Sequence, residues 1–465
     1  MRLFDLAFPK TAADYRAAAT ALDARQEEPV YYSFSFPVAR WLARRCPGEV
    51  TIDWQEIDDT SRLDEILSLI MHPAEDEYFD SGWVSTQEWV DMARGKKTDF
   101  DWLMAQMSDK RREKMWSQLY DAADLPLAWD VSRSRFSKFR NRFPVKDICT
   151  REAGMRGRPR AVKAEIQRPL RTTHLPPADG RRMIDVAMAS LAARYRETWH
   201  FNYANPREVY VAGVGTGVTV AIFGLLPEHR FPLECTMGYL VLSNGVPIGY
   251  GGSSVLFRQV NTGVNIFDDF RHSEAAFLWT QVMRVYHSLT GCTRFIANPY
   301  QFGGGNTEAL RSGAFWFYYR LGYRPVLQDV RKLAQKEFAK IRRNRDYRSD
   351  NRTLRQLASC DMHLTLPGAK ASEFFDERWF ETVSMLATQS LAEAGKDARR
   401  RCSALEPIIA SVRPENWGAR DRRLTRELLR AKQGELELPY ARLLARHDKF
   451  LKSLQKKCRS ESIRG

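Results

Sequence analysis

Residues 261–326 constrain the fold more than any other stretch of the chain. Segments of period two alternate there with segments of period 3.6, in the order strand, tight loop, helix, strand, glycine-rich loop, helix, strand start. That alternation marks a β-α-β-α unit. Residues 264–267 and 294–297 are the expected strands, and residues 274–288 the expected crossover helix. Parallel strands cannot be joined by a tight turn, so a helix between them is required. In such a unit a ligand lies beyond the strand's C-terminal end and at the start of the next helix. Free amides and the helix dipole favour phosphate there.

Two hairpins precede the unit. Residues 208–215 and 218–223 flank Thr216-Gly217, and strand residues continue on both sides with no helix following. The glycines at 213, 215 and 217 therefore read as a turn rather than a nucleotide loop. Residues 238–257 flank Asn244-Gly245, the strongest short hairpin signal. Gly249, Gly251 and Gly252 are expected to weaken or bulge the second strand and to let a ligand backbone come close. The expected fold is α/β (α+β), a mixed sheet with flanking helices over residues 179–330. Residues 1–130 read as a mainly helical region, 131–178 as a basic linker and 331–465 as a basic helical region. Trp54, Trp83, Trp89, Trp102, Trp116 and Trp129 crowd the first of these and read as its core. Helices are expected over 86–107, 182–199 and 420–456.

The net charge of +15 over 465 residues suggests an anionic partner, or simply arginine-rich helices. Residues 131–174 carry thirteen Lys/Arg against three acids, with Phe136, Phe139 and Phe143 interleaved. Arg133, Arg135, Lys138 and Arg140 could neutralise phosphates while the rings stack bases, so nucleic acid is a candidate partner. A solvated basic linker is the other reading. Seven scattered cysteines with no CxxC pair read as free thiols in a reducing, cytoplasmic setting. No Cys/His cluster has zinc-ligand spacing, so no metal is expected. No run of about 18 apolar residues appears, so no membrane span is expected.

Two places carry a resemblance to a known family. The first is Asn306-Thr307-Glu308-Ala309 followed by Ala314-Phe315-Trp316-Phe317-Tyr318-Tyr319-Arg320-Leu321-Gly322-Tyr323. The second is residues 264–276. Together they resemble the GNAT superfamily of acyl-CoA-dependent N-acyltransferases, over roughly residues 205–330. The resemblance implies a GNAT-like sheet, acetyl-CoA or another acyl-CoA as co-substrate, and an amine acceptor. It places Val264 and Ile266 on the strand beside the donor and Arg271, Ser273 and Ala276 in the pyrophosphate loop. Asn306 would meet the pantetheine arm or the acyl group. Tyr318 stands where the family often has a tyrosine acting as general acid toward the thiolate. Glu274 replaces the family's first phosphate-loop glycine; as a residue type it is expected to cap the helix. Asp268, Asp269, Glu234 and His272 are candidate bases by position, the first two following the strand that would flank the thioester. Gly303, Gly304 and Gly305 could cradle an anion, but no P-loop Lys or Ser/Thr follows. Two further readings stay open: an aminoacyl-tRNA-dependent transferase of related fold, and a non-catalytic GNAT-like scaffold for nucleic acid or protein.

Overall fold

A computed structural model describes residues 3–132, 134–271, 274–344, 346–393 and 404–463. Two compact units emerge. One comprises Arg16–Phe143 with Ile184–Asn202; the other comprises Phe4–Tyr15, Pro144–Met183 and the chain from Tyr203 onward.

The first unit is mainly helical and wraps a small antiparallel sheet. Strands β1 (Val30–Tyr32) and β2 (Val50–Ile52) flank β3 (Leu127–Trp129). Trp102, Trp116 and Trp129 are buried as core residues, whereas Trp83 is exposed. The Trp41 and Trp129 rings meet edge to face, a favourable alignment of their quadrupoles. The Trp41 indole N–H donates to Asp185, which also pairs with Arg45 at 2.7 Å. The helix expected over 86–107 is two helices, Thr86–Ala93 and Asp99–Gln106. Gly95 between them has φ +59°, a left-handed conformation no right-handed helix can pass through. Likewise the helix expected over 182–199 runs Pro177–Ala192 instead. Proline suits a first helical turn, and Tyr195 at φ +58° blocks continuation.

The second unit is built on a ten-stranded mixed sheet with flanking helices. Its strands are β4 (Thr173–His174), β5 (Ala204–Gly215), β6 (Val218–Leu225), β7 (Cys235–Ser243), β8 (Val246–Leu256), β9 (Gln259–Thr262), β10 (Asn265–Ile266), β11 (Arg294–Ala297), β12 (Arg324–Pro325) and β13 (Met362–Thr365). The order across the sheet is β12-β13-β11-β9-β8-β7-β6-β5-β4, with β10 beside β8. Both expected hairpins form. Their turns, Thr216-Gly217 and Asn244-Gly245, have positive φ at both positions, the geometry that matches strand twist.

The parallel pair lies five residues earlier than the sequence suggests. Val260 of β9, not residues 264–267, faces Phe295 of β11. Residues 265–266 turn away and pair antiparallel with β8. A hidden hairpin causes the shift: Phe257-Arg258 turns β8 into β9, with Phe257 at φ +50° and no Gly or Asn to announce it. The glycines of β8 do admit a close neighbour, but it belongs to the chain. A Cβ at Gly249 would stand 2.8 Å from the Asn265 carbonyl, and one at Gly251 2.6 Å from the Tyr239 ring. Strand β13 was not expected; it enters antiparallel between β11 and β12.

The crossover helix Ala275–Thr290 packs buried residues on most of its surface and ends at Gly291 in the left-handed conformation. Residues 144–183 run beside it. Gln281 donates to Glu165 at 2.9 Å, Arg284 to the Arg168 carbonyl at 3.0 Å and Ser288 to the Leu170 carbonyl at 3.0 Å. The stretch expected as one helix over 420–456 is three: Ala419–Gln433, Leu438–Leu444 and Asp448–Ser462.

A buried charge cluster ties these last helices to the sheet. Glu208 on β5 accepts the Leu438 backbone N–H at 2.5 Å and faces Arg230 at 3.6 Å. Burial pushes the Glu208 carboxyl up to about 8 from 4.5. Between those values the folded chain holds a proton that the unfolded chain has lost. The contribution of Glu208 to stability therefore falls as pH rises from 4.5 to 8. Thermal melts of Glu208→Gln across that window should be flatter than those of the native chain. Parallel declines would assign the slope to another group.

Candidate functional site

Strands β9 and β11 form the one parallel pair of the described sheet, and they part beyond Asn261 and Ile296. In open sheets with parallel strands, ligands lodge where neighbouring strands diverge at their C-terminal ends. Four groups meet at this split. Tyr239 donates its hydroxyl hydrogen to the Gly263 carbonyl. The Val264 backbone N–H points to the Tyr318 hydroxyl oxygen at 3.4 Å. Gln301 lies directly on Gly263, so closely that a Cβ there would be 1.8 Å from its Oε1.

Tyr318 is held rigidly. It sits on the helix Ala314–Leu321, which the left-handed Gly313 and Gly322 bound at either end. Its ring packs edge to face on Trp279, Phe302, Phe317 and Tyr323. Burial raises its phenol, so the proton stays on at any ordinary pH. The other aromatic residues of the run are mostly core: Phe315, Trp316 and Tyr319 are buried.

The start of the crossover helix is closed by the chain itself. Glu274 is 2% exposed and makes no capping bond. Its carboxylate instead pairs with Arg151 at 3.1 Å and accepts the Arg156 backbone N–H at 2.7 Å. Arg151 is fixed in turn: its amide donates to the Pro9 carbonyl at 2.7 Å and its guanidinium covers the Phe8 ring. The Glu274 charge is thus neutralised within the chain.

The other sequence candidates scatter around the split. Val264 and Ile266 are half-buried beside it. Ala276 lies in the first turn of the crossover helix, half-buried. Arg271 is exposed and engaged by Asp268 at 2.7 Å and by Glu308. Asp268 and Asp269 sit on the short 3-10 turn Asp268–Phe270, with Asp268 exposed and Asp269 half-buried. Ser273 and His272 lie outside the described residues. Glu234 precedes β7, which stands two strands from β9, about 10 Å at the usual strand spacing. Register therefore separates it from the split. Asn306 caps the helix Thr307–Ser312 by accepting the Ala309 N–H at 3.0 Å. It also lines a cavity of about 320 Å³ with Gly303, Gly304, Gly305, Leu310 and Arg355. Sequence reading passed over Gln301, Gly263 and Tyr239, which carry no motif.

The basic segment uses many of its charges internally. The Arg140 guanidinium donates to four backbone carbonyls, of Asp23, Arg25, Val131 and Ser134. Phe136 is buried under Arg135, and Arg25 and Lys138 cover the Phe139 ring. Arg133 lies outside the described residues. Arg156, Arg160, Lys163 and Arg171 remain exposed. Among the described residues six cysteines are free, and no helix is long and apolar enough to cross a membrane. Comparison of the chain with protein-family models, with curated proteins and with solved structures found no match.

Proposed function

We propose that the second unit is a GNAT-type N-acyltransferase whose acyl thioester, carried by acyl-CoA, reacts at the split between β9 and β11. The observation that carries this reading is the Tyr318 hydroxyl on the Val264 amide at the point where the two strands part. An amine attacks the thioester carbonyl, the carbon–sulfur bond breaks, and the leaving thiolate takes the phenol proton. The amine's own proton passes to a base; Asp269, half-buried just past β10, is the nearer of the two acids to the interior. Gln301 must swing off Gly263 for a carbonyl to enter. With Glu274 and Arg151 at the start of the crossover helix, the donor's phosphates bind elsewhere than on that helix's amides. A cytoplasmic setting is part of the proposal, since acyl-CoA and free thiols coexist there.

The test is release of free thiol from acetyl-CoA by the full chain with a panel of primary amines. Saturable, amine-dependent release supports the reading. No release above the spontaneous rate, together with no calorimetric binding at high micromolar acetyl-CoA, contradicts it. A second reading, an acyl group carried on tRNA, is favoured by the closed helix start together with the exposed Arg156, Arg160, Lys163 and Arg171 of the segment that runs along the helix. It requires a salt-dependent gel shift with tRNA that weakens when those four residues are neutralised.

A further inference from the structure

Asp361 and His363 flank Met362, the first residue of β13, and Glu377 opens the 3-10 turn Glu377–Trp379. Residues two apart on a strand project to the same face, so Asp361 and His363 present their side chains together. One ligand atom from each of Asp361, His363 and Glu377 lies within 4.8 Å of the other two, and all three residues are half-buried. The Asp361 and Glu377 carboxylate oxygens therefore lie close to one another, with the imidazole beside them. Two carboxylates this close repel each other, and a cation between them relieves that repulsion.

Among the described residues no guanidinium forms an ion pair with the cluster, although Arg294 and Arg331 are near enough to act on it through space. Arg294 lies over the Phe374 ring at 3.5 Å, with its Nε toward the Thr365 hydroxyl at 3.4 Å. Arg331 donates twice to the Pro325 carbonyl, at 3.1 and 2.9 Å. The donor set itself is selective. Two carboxylate oxygens with one imidazole nitrogen suit a first-row divalent ion, whereas Mg²⁺ and Ca²⁺ take oxygen throughout.

We propose that Asp361, His363 and Glu377 form a binding site for one divalent transition-metal ion of the Zn²⁺ or Mn²⁺ type, with its remaining positions open to water. The site lies on β13, one strand beyond β11, where His363 pairs with Ile296 at the level of the split, and metal binding there does not depend on acyl transfer. A bound ion would cross-link β13, the strand inserted between β11 and β12, to the turn that leads into the helix Phe380–Glu393.

The full chain, stripped with a chelator, is titrated calorimetrically with Zn²⁺, Mn²⁺ and Mg²⁺, and Co²⁺ is followed by its visible spectrum. The expected result is one equivalent of Zn²⁺ or Mn²⁺ bound, with Mg²⁺ weaker, and a Co²⁺ spectrum lacking a thiolate band. Glu377→Gln and His363→Gln should each weaken binding by about tenfold or more. Far-UV dichroism of the metal-free variants establishes that they fold; Asp361→Asn replaces either one that does not. No saturable binding of Zn²⁺ or Mn²⁺, binding untouched in two folded variants, or a thiolate band from the free cysteines would each overturn the proposal.

Discussion

Glu274→Ala should destabilise the second unit by about 3–5 kcal/mol, because it strands the Arg151 guanidinium in the interior. The two side chains are 0% and 4% exposed, so water cannot take the place of the missing partner. The Arg156 amide loses its acceptor in the same step. Removing both charges should cost less than removing one. Buried ion pairs are weak net contributors, since desolvation offsets most of their attraction, and apolar replacements of similar volume are often neutral or better. The double variant Arg151→Met/Glu274→Leu is therefore expected to melt above Glu274→Ala. Urea unfolding of the native chain, the two single variants and the double variant measures the coupling. Additive losses would mean that Glu274 acts through something other than Arg151. Thiol release from acetyl-CoA by the folded double variant separates packing from the proposed function: if the pair only closes the helix start, release should match that of the native chain.

Tyr318→Phe should lower acyl transfer by about 10²–10⁴-fold, the usual contribution of a positioned proton donor. The fold should barely notice. The hydroxyl makes one long hydrogen bond, to the Val264 amide, and its loss costs about 1 kcal/mol, while the aromatic contacts of the ring persist. Burial keeps the phenol protonated, so activity lost at acid pH comes from the amine or its base rather than from Tyr318. Rate against pH for the native chain and Tyr318→Phe, with matched melting temperatures, is the measurement. Equal rates would leave Tyr318 as a core residue alone.

How much of this was legible depended on where local chemistry speaks. Both hairpin turns are announced by a glycine at the second position and by strand residues on either side; Asn244 also suits positive φ, whereas the β-branched Thr216 adopts φ +53° against its preference. The crossover helix is announced by its periodicity. The register of the parallel pair was not, because Phe257-Arg258 makes a tight turn without any turn residue. Strand β13 has only four residues, Met-His-Leu-Thr, and its alternation is too short to rise above the helices around it. The partner of Glu274 could not be read at all, since Arg151 lies 123 positions away and only tertiary packing joins them. The Asp361, His363 and Glu377 group escaped for a related reason. Metal spacing was sought among Cys and His, whereas this set draws two carboxylates from different elements. The basic, aromatic-rich segment shows a pattern whose use the sequence leaves open. Its pattern is plain in the sequence, yet Arg140, Phe136 and Phe139 are spent on internal contacts.

The most direct test of the central claim is hydrogen exchange of the full chain with and without saturating acetyl-CoA. The account predicts slowed exchange at residues 262–267 and 298–306, which line the split and the glycine-rich loop. It predicts no change at the first turn of the crossover helix, where Glu274 is buried against Arg151 and the Arg156 amide. Protection confined to that first turn, or no protection anywhere, would contradict it.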